Sequence, residues 1–360
     1  YGLCPILLYR ILPEKYWRNF CKLVFAICIL HQRCITRSEL MQAHKALIEF
    51  EEEFHILYYQ RKASRIHFVR QSVHQTVHVA PENVCVGPLG LTAQWPIERV
   101  IGDLGGEIRQ HSKVYANLSE RAVRRARDNA LKSMVPNLVP PPGPPRGSEV
   151  LGDGYILLRA MDTCSHVVCD SEVAAFTRYM QDELRWSDAE VARWDGSVVR
   201  WARLRLPSEQ VARSHWKESE KGMENVRISC VIKLQYGAEE QFGEVLYYCR
   251  LPVDYGSTDG EIKTVAMVSL FSLPDAELFE KSYGTACSVR YEGDASLIVA
   301  DVKAIRSVVA MHPLPEHLRG DQPEMDPKEG YTVGCSYFVV KRLGLDVISR
   351  AWSEDVPDDE

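Results

Sequence analysis

The sequence has no apolar run long enough to cross a bilayer. Its two most apolar stretches, residues 3–12 and 21–30, are each about half the roughly twenty residues a spanning helix needs, and Arg10 interrupts the first. Both read instead as buried helix faces. No signal-peptide pattern is read at the start. The chain opens on Tyr1 rather than Met, which predicts a fragment or a mis-started gene model. Among the 11 cysteines there is no C-x-x-C pair and no zinc-ligand spacing. An odd count, with Cys21, Cys28, Cys85, Cys230 and Cys249 inside apolar runs, reads as buried, reduced thiols in an intracellular protein. Charge of one sign is also scarce. A formal net charge of −6 over 360 residues excludes a protein that coats nucleic acid with its whole surface, but leaves room for local basic patches.

What is present is ordinary globular material. The hydrophobic fraction is 46%, and the length predicts two or three domains, each able to bury a core. Residues 13–60 read as helices. Trp17, Phe20, Cys21, Val24 and Cys28 recur at helical spacing. A second helix over 38–59, capped by Ser38, puts Leu40, Ala43, Leu47, Phe50, Phe54 and Leu57 on one face. Glu49, Glu51, Glu52 and Glu53 form its solvated side. Downstream come His67, His74 and His78. The last two are an i, i+4 pair and share a face on a helix. Such a pair suits zinc in H-E-x-x-H, but Gln75, Thr76 and Val77 intervene here and supply no glutamate base.

The most informative stretch is 87–132. A Gly87-Pro88 turn and a Trp95-Pro96 step lead into Ile97-Glu98-Arg99-Val100-Ile101. Proline is tolerated in the first helical turn, where its missing N–H would be an orphan anyway. Ile97, Val100, Ile101 and Leu104 then form one apolar face, with Glu98 in the first turn, favoured by the helix dipole. Gly102, Gly105 and Gly106 predict a weakened helix open to close backbone approach. A second helix is expected from about Leu118, with Asn117 and Glu120 as a capping box. It carries Arg121, Arg124, Arg125, Arg127 and Lys132 against Glu120 and Asp128. A buried acid beside a basic helix suits a site that handles phosphate.

At this stretch the sequence resembles the region that follows the catalytic domain in CACTA (En/Spm-like) transposases, in the form common among fungal transposon relics. The matching residues are Gly87-Pro88, Trp95-Pro96-Ile97-Glu98-Arg99, Gly102, Leu104, Arg109 and the segment 117–130, approached by Ile66-His67-Phe68, His74 and His78. The likeness is good over about 13–132 and looser beyond. It implies strand transfer by two Mg²⁺ ions held on three carboxylates. Glu98 is then the candidate last acid and metal ligand, with His74 and His78 near it. Arg99, Arg109, Lys113, Arg121, Arg124 and Arg125 become candidate DNA contacts. The first two aspartates belong to an upstream catalytic domain, which would be a partner along with DNA. The resemblance implies a transposase that is catalytically incomplete in this chain alone, and a nuclear location.

The remainder is read from local signals. Prolines 136, 140, 141, 142, 144 and 145 mark a stiff linker over 136–150 after a helical region, 1–135. A mixed α/β segment, 151–225, includes a helix over 172–184 capped by Asp170 or Ser171. It also includes a short helix with a Ser187–Glu190 capping box and a strand over 198–206. Arg200, Arg203 and Arg205 interleaved with Trp201 form either a nucleic-acid ribbon or an ordinary exposed strand. Residues 226–345 alternate short strands with turns such as Tyr236-Gly237, Asp259-Gly260 and Glu292-Gly293-Asp294, which suggests a small barrel. The fold class is thus α+β, ending in an acidic tail over 346–360. The competing reading is a non-enzymatic chromatin or protein-interaction module with a Tudor- or BAH-like barrel. In that reading Tyr247, Tyr248, Phe271 and Tyr291 either cage a methylated lysine or fill the core.

Overall fold

The computed structural model describes residues 2–32, 34–92, 94–108, 112–135, 138, 143–221, 229–253, 261–320, 322–323 and 330–340, the side chains of 91, 95–97 and 316 excepted. Arg109, much of the proline run, the Asp259-Gly260 turn and the acidic tail lie outside the described residues. Helices come first: α1 (Cys4–Leu7), α2 (Glu14–Leu30), α3 (Arg37–Phe54), α4 (Gln71–Val86), α5 (Leu89–Thr92), α6 (Trp95–Glu107) and α7 (Val114–Met134). A mixed run follows: β1 (Glu149–Gly152), β2 (Tyr155–Met161), β3 (His166–Val167), α8 (Asp170–Asp182), α9 (Asp188–Val191), β4 (Ser197–Val198), β5 (Trp201–Arg205), β6 (Val211–Arg213) and α10 (His215–Ser219). Then come β7 (Val231–Tyr236), β8 (Glu239–Pro252), β9 (Ile262–Leu270), α11 (Ala276–Lys281), β10 (Ser288–Arg290), β11 (Leu297–Asp301), β12 (Ile305–Val308), β13 (Ala310–Pro313), α12 (Glu316–Arg319) and β14 (Ser336–Val340). The class is α+β, as the alternation of periods predicts.

Helices α2 and α3 pack through the apolar positions expected of them, with Leu30, Ala43 and Leu47 buried in one cluster. Two polar groups of α2 go in with them. Asn19 donates to the Phe50 carbonyl and to Glu53, and Lys22 reaches Glu49 and Glu53 at 2.8 Å each. Burial works against the Lys22 charge, yet the two carboxylates outweigh it and raise its pKa. The glutamates expected to be merely solvated therefore help dock α3. Thr36, not Ser38, caps that helix, in a reciprocal box with Glu39. Past Phe54 the helix widens into a π turn over His55–Tyr59 instead of continuing as α. Gly87 ends α4 at φ 88°, a backbone shape that disfavours other residues.

The large sheet runs β1-β2-β5-β8-β7-β12, with β6 on β5, and β9 and then β11 on the far flank of β8. All pairings are antiparallel. Its inner face buries Leu157, Leu204, Ile232, Leu234, Val245, Tyr248, Val268 and Ile305. Its outer face is covered by α8 through Phe176, Tyr179 and Met180, packed on Tyr247, Cys249, Val265, Met267 and Val299. The expected barrel rolls up without closing. Among the described residues no ladder joins β12 to β6; the Gln210 side chain bridges them, donating to the Val308 carbonyl at 3.4 Å and accepting from the Val308 N–H at 3.2 Å. A second sheet, β10-β14-β13, stands beside it.

One core crosses the proline-rich segment. Trp17 and Cys21 of α2, with Ile6 of α1, pack against Leu278, Ala286, Leu314 and Phe338 of the C-terminal half. Trp17 is 1% exposed, and its indole N–H donates to the Pro5 carbonyl at 2.7 Å. Truncating such a side chain loses its transfer energy and leaves a cavity. Trp17→Ala is expected to lower unfolding stability by about 3–5 kcal/mol, seen as a lower urea midpoint. A midpoint within about 0.5 kcal/mol of the parent would place Trp17 outside the folding core.

Candidate nucleic-acid interface

The proline-led turn nucleates α6 where the sequence places it, with Glu98 in the first turn. The three glycines do not break it, and they mark no close approach: a Cβ on Gly102, Gly105 or Gly106 would meet nothing within 4 Å. The glycine that does allow a close approach is Gly90, where a Cβ would lie 3.0 Å from the His31 carbonyl oxygen. Of the apolar face, Leu104 is 7% exposed, but Val100 and Ile101 remain 44% and 62% exposed. Helix α7 begins at Val114, earlier than expected. Lys113, at φ 57°, occupies its N-cap with no side-chain bond, and Asn117 donates to the Ser112 carbonyl rather than boxing with Glu120. No residue of α7 is buried.

The arginines of α7 divide into two groups. Arg121 meets Glu107 at 3.4 Å, and Arg125 meets Asp103 at 3.4 Å and Glu107 at 3.6 Å. These pairs are two-fifths to half exposed, so each is worth about 0–1 kcal/mol. They fix α7 against α6 more than they stabilise the fold. Arg99, Arg124, Arg127 and Lys132 are exposed and have no ion pair among the described residues, and the same is true of Lys113. Of the proposed DNA contacts, then, Arg99, Lys113 and Arg124 carry free charge, Arg121 and Arg125 are shared with acids, and Arg109 is not described.

Glu98 is exposed, and no hydrogen bond or ion pair reaches its carboxylate among the described residues. His74 and His78 lie on α4 as an exposed pair with Nε2 atoms 3.3 Å apart. No acid lies between them in the sequence, but the fold brings one from α3. Glu51 sits 3.4 Å from His74 Nδ1 and 3.2 Å from His55 Nε2. A carboxylate on Nδ1 favours the tautomer that leaves Nε2 as a lone pair. The two Nε2 atoms are spaced like two ligands of one tetrahedral ion with bonds of about 2.0–2.1 Å. Among the described residues, however, no three His, Cys, Asp or Glu side chains converge on a point that could hold a metal. A two-Mg²⁺ centre needs several carboxylates around its ions. These residues do not fit one by themselves, and no chemical step is assigned to it.

Two readings left open by the sequence are decided against the functional alternative. The Arg–Trp ribbon is not an open surface: Trp201 is buried, Arg200 holds Asp162 at 2.8 Å and lies 4.3 Å over the Trp216 ring, and Arg205 pairs with Glu209. The four aromatics offered as a lysine cage are 0–8% exposed and fall in three different cores. They cannot surround one cation.

The network that sequence reasoning missed lies beside those aromatics. Glu244 of β8 is 2% exposed and accepts from the Tyr291 hydroxyl at 2.7 Å, from His215 Nδ1 at 2.8 Å and from the Cys230 thiol at 3.6 Å. The signal was a lone acid in the apolar run Phe242-Gly243-Glu244-Val245-Leu246. The dyad has the form of a base and its orienting acid, but among the described residues no nucleophile completes it. Cys230 touches the carboxylate side, and burial, reinforced by Glu244, pushes its thiol well above the usual range, far from thiolate. The arrangement ties α10, β8 and the end of β10 together.

No protein-family description, no curated protein and no solved structure matches this chain.

The His215 link predicts a pH signature. The hydrogen bond to Glu244 raises the pKa of the ring, against the opposing effect of burial. A raised folded value means this stabilisation is fully present below the unfolded pKa of about 6.5 and is lost as pH rises through the folded value. Urea midpoints should fall from about pH 6 to about pH 8, and His215→Gln should flatten that decline. A midpoint that rises over this window, or an equal decline in the variant, would contradict the assignment.

Proposed function

We propose that this chain is a transposon-derived, DNA-contacting module, equivalent to the region that follows the catalytic domain in CACTA-like transposases and inactive without such a domain. The observation that carries this reading is the α6–α7 hairpin. Helix α7 runs for 21 residues with none of them buried, and it carries the unpaired cations Arg124, Arg127 and Lys132. Arg124 and Arg127 on α7, Arg99 on α6 and Lys113 at the junction are exposed and make no ion pair among the described residues, although Glu120, Asp128, Glu98 and Asp103 lie on the same helices, in a chain whose overall balance is acidic. Local cations of this kind grip phosphates, which position a protein on a duplex without reading its sequence. Arg121 and Arg125 act inside the hairpin, holding α7 at a fixed angle to α6. Glu98, exposed at the start of α6, is free to complete a carboxylate set contributed from elsewhere, and an upstream catalytic region is the partner that would use it. A DNA partner of this origin places the protein in the nucleus.

The test is salt dependence. Each phosphate neutralised contributes about 0.9 to the slope of log affinity against log salt. Duplex binding measured by fluorescence anisotropy between about 50 and about 200 mM salt should lose up to about two units of slope in the Arg124→Ala, Arg127→Ala double variant. The Arg121→Ala, Arg125→Ala double variant should lose less, because those charges are already shared. Equal slopes for the parent and the first variant would remove the hairpin from the DNA interface.

A further inference from the structure

The histidine pair on α4 lies outside the α6–α7 hairpin and has no role in the DNA reading. Three observations meet there. First, the Nε2 atoms of His74 and His78 are 3.3 Å apart, and two nitrogens bonded to one tetrahedral ion at about 2.0–2.1 Å stand about 3.3–3.4 Å from each other. Both residues are exposed, so an ion and its waters can reach the rings. Second, Glu51 of α3 backs the pair. Its Oε1 lies 3.4 Å from His74 Nδ1 and 3.2 Å from His55 Nε2, so the carboxylate is held from two sides. A carboxylate on the far nitrogen is the usual support of a metal-bound imidazole: it keeps the proton on Nδ1 and aims Nε2 as a lone pair. Third, Pro81 sits inside α4. It has no N–H for the Val77 carbonyl four residues earlier, which weakens the helix in the turn that His74 and His78 span. Beyond that turn α4 docks on α2 and α3 through Ala80, and through Asn83, which donates to the Leu30 carbonyl at 3.5 Å.

We propose that His74 and His78 bind one divalent transition-metal ion of the zinc class through their Nε2 atoms, with Glu51 as a positioning residue, and that the ion clips the turn of α4 ahead of Pro81. Imidazole suits zinc, copper and nickel, whereas Mg²⁺ prefers oxygen ligands, so this site is separate from any two-Mg²⁺ chemistry. The chain supplies two ligands and water fills the other positions. That makes the ion exchangeable, unlike one enclosed by four protein ligands. Its effect is mechanical: two bonds to one ion replace the rung that Pro81 removes and hold the docked end of α4 in helical form.

The probe is Zn²⁺, titrated calorimetrically into the full chain after alkylation of the exposed thiols Cys4, Cys34, Cys85, Cys164 and Cys169, which would otherwise compete for it. The parent should take up one equivalent more than His74→Ala or His78→Ala. Added Zn²⁺ should raise the melting temperature of the parent, as a ligand of the folded state does, and leave that of the two variants where it was. Without metal both variants should melt as the parent does, because the rings are exposed. Glu51→Gln should keep the stoichiometry and bind about tenfold more weakly. If the parent takes up no more Zn²⁺ than His78→Ala, the two rings are only hydrogen-bonded to each other and the site is wrong. If the extra ion binds without raising the melting temperature, the clip is wrong. If Glu51→Gln binds as the parent does, the positioning role is wrong.

Discussion

Strand β8 must be apolar on both faces, and one bulge makes that possible. Its residues alternate between the rolled inner core, which takes Val245 and Tyr248, and the layer under α8, which takes Tyr247, Cys249 and Leu251. The register against β9 slips between Val245 and Tyr247. Leu246 and Tyr247 therefore both turn toward α8. Without that extra residue the alternation would run one step out of phase, and one half of the strand would face its side chains the wrong way. Because β8 pairs with β5, β7 and β9, the placement of nearly every other strand in the large sheet follows from it.

Charge in this protein is divided between buried ties and open surface. Lys22 with Glu49 and Glu53, His215 with Glu244, and Arg200 with Asp162 join elements distant in sequence. Lys22 and Glu244 are buried, and their partners offset the cost of burying them; the Arg200–Asp162 pair is partly exposed. The hairpin α6–α7 is arranged the other way. Its paired arginines are half-solvated and brace one helix on another, and the remaining cations stay in water.

Much of the local structure was legible in the sequence, and the exceptions share a physical cause. The helical periods of α2 and α3, the start of α6 at Trp95-Pro96, the Ser187–Glu190 box and most strands follow from spacing and turn chemistry that act over a few residues. What failed depended on partners far along the chain. Glu51 looked like part of a solvated acidic face until α4 brought His74 to it. Arg200 and Trp201 looked like an open ribbon until Asp162 and Trp216 covered it. Glu244 could be seen as an odd acid in an apolar strand, but not as the meeting point of Tyr291, His215 and Cys230. Capping was misjudged where the true cap lay before the residue that looked best, as with Thr36 ahead of Ser38. Cys169 likewise takes the N-cap that Asp170 or Ser171 seemed to claim, its N–H donating to Glu172 at 2.9 Å.

The Gln210 bridge changes what kind of object the rolled sheet is. A side-chain carboxamide has one donor group and one acceptor, the same complement as a peptide unit, so a single residue imitates one rung of a ladder between β6 and β12. A backbone ladder is cooperative and zips or frays along its length. A lone amide has no neighbouring rung; this one is held instead by the Ser208 hydroxyl, which donates to its Oε1 at 3.2 Å. The roll is therefore fastened by side chains rather than by a strand register, Gln210 on one side and the Tyr155 hydroxyl, 2.9 Å from the Ile305 carbonyl, on another, and the cylinder has clasps where a closed barrel would have a weld.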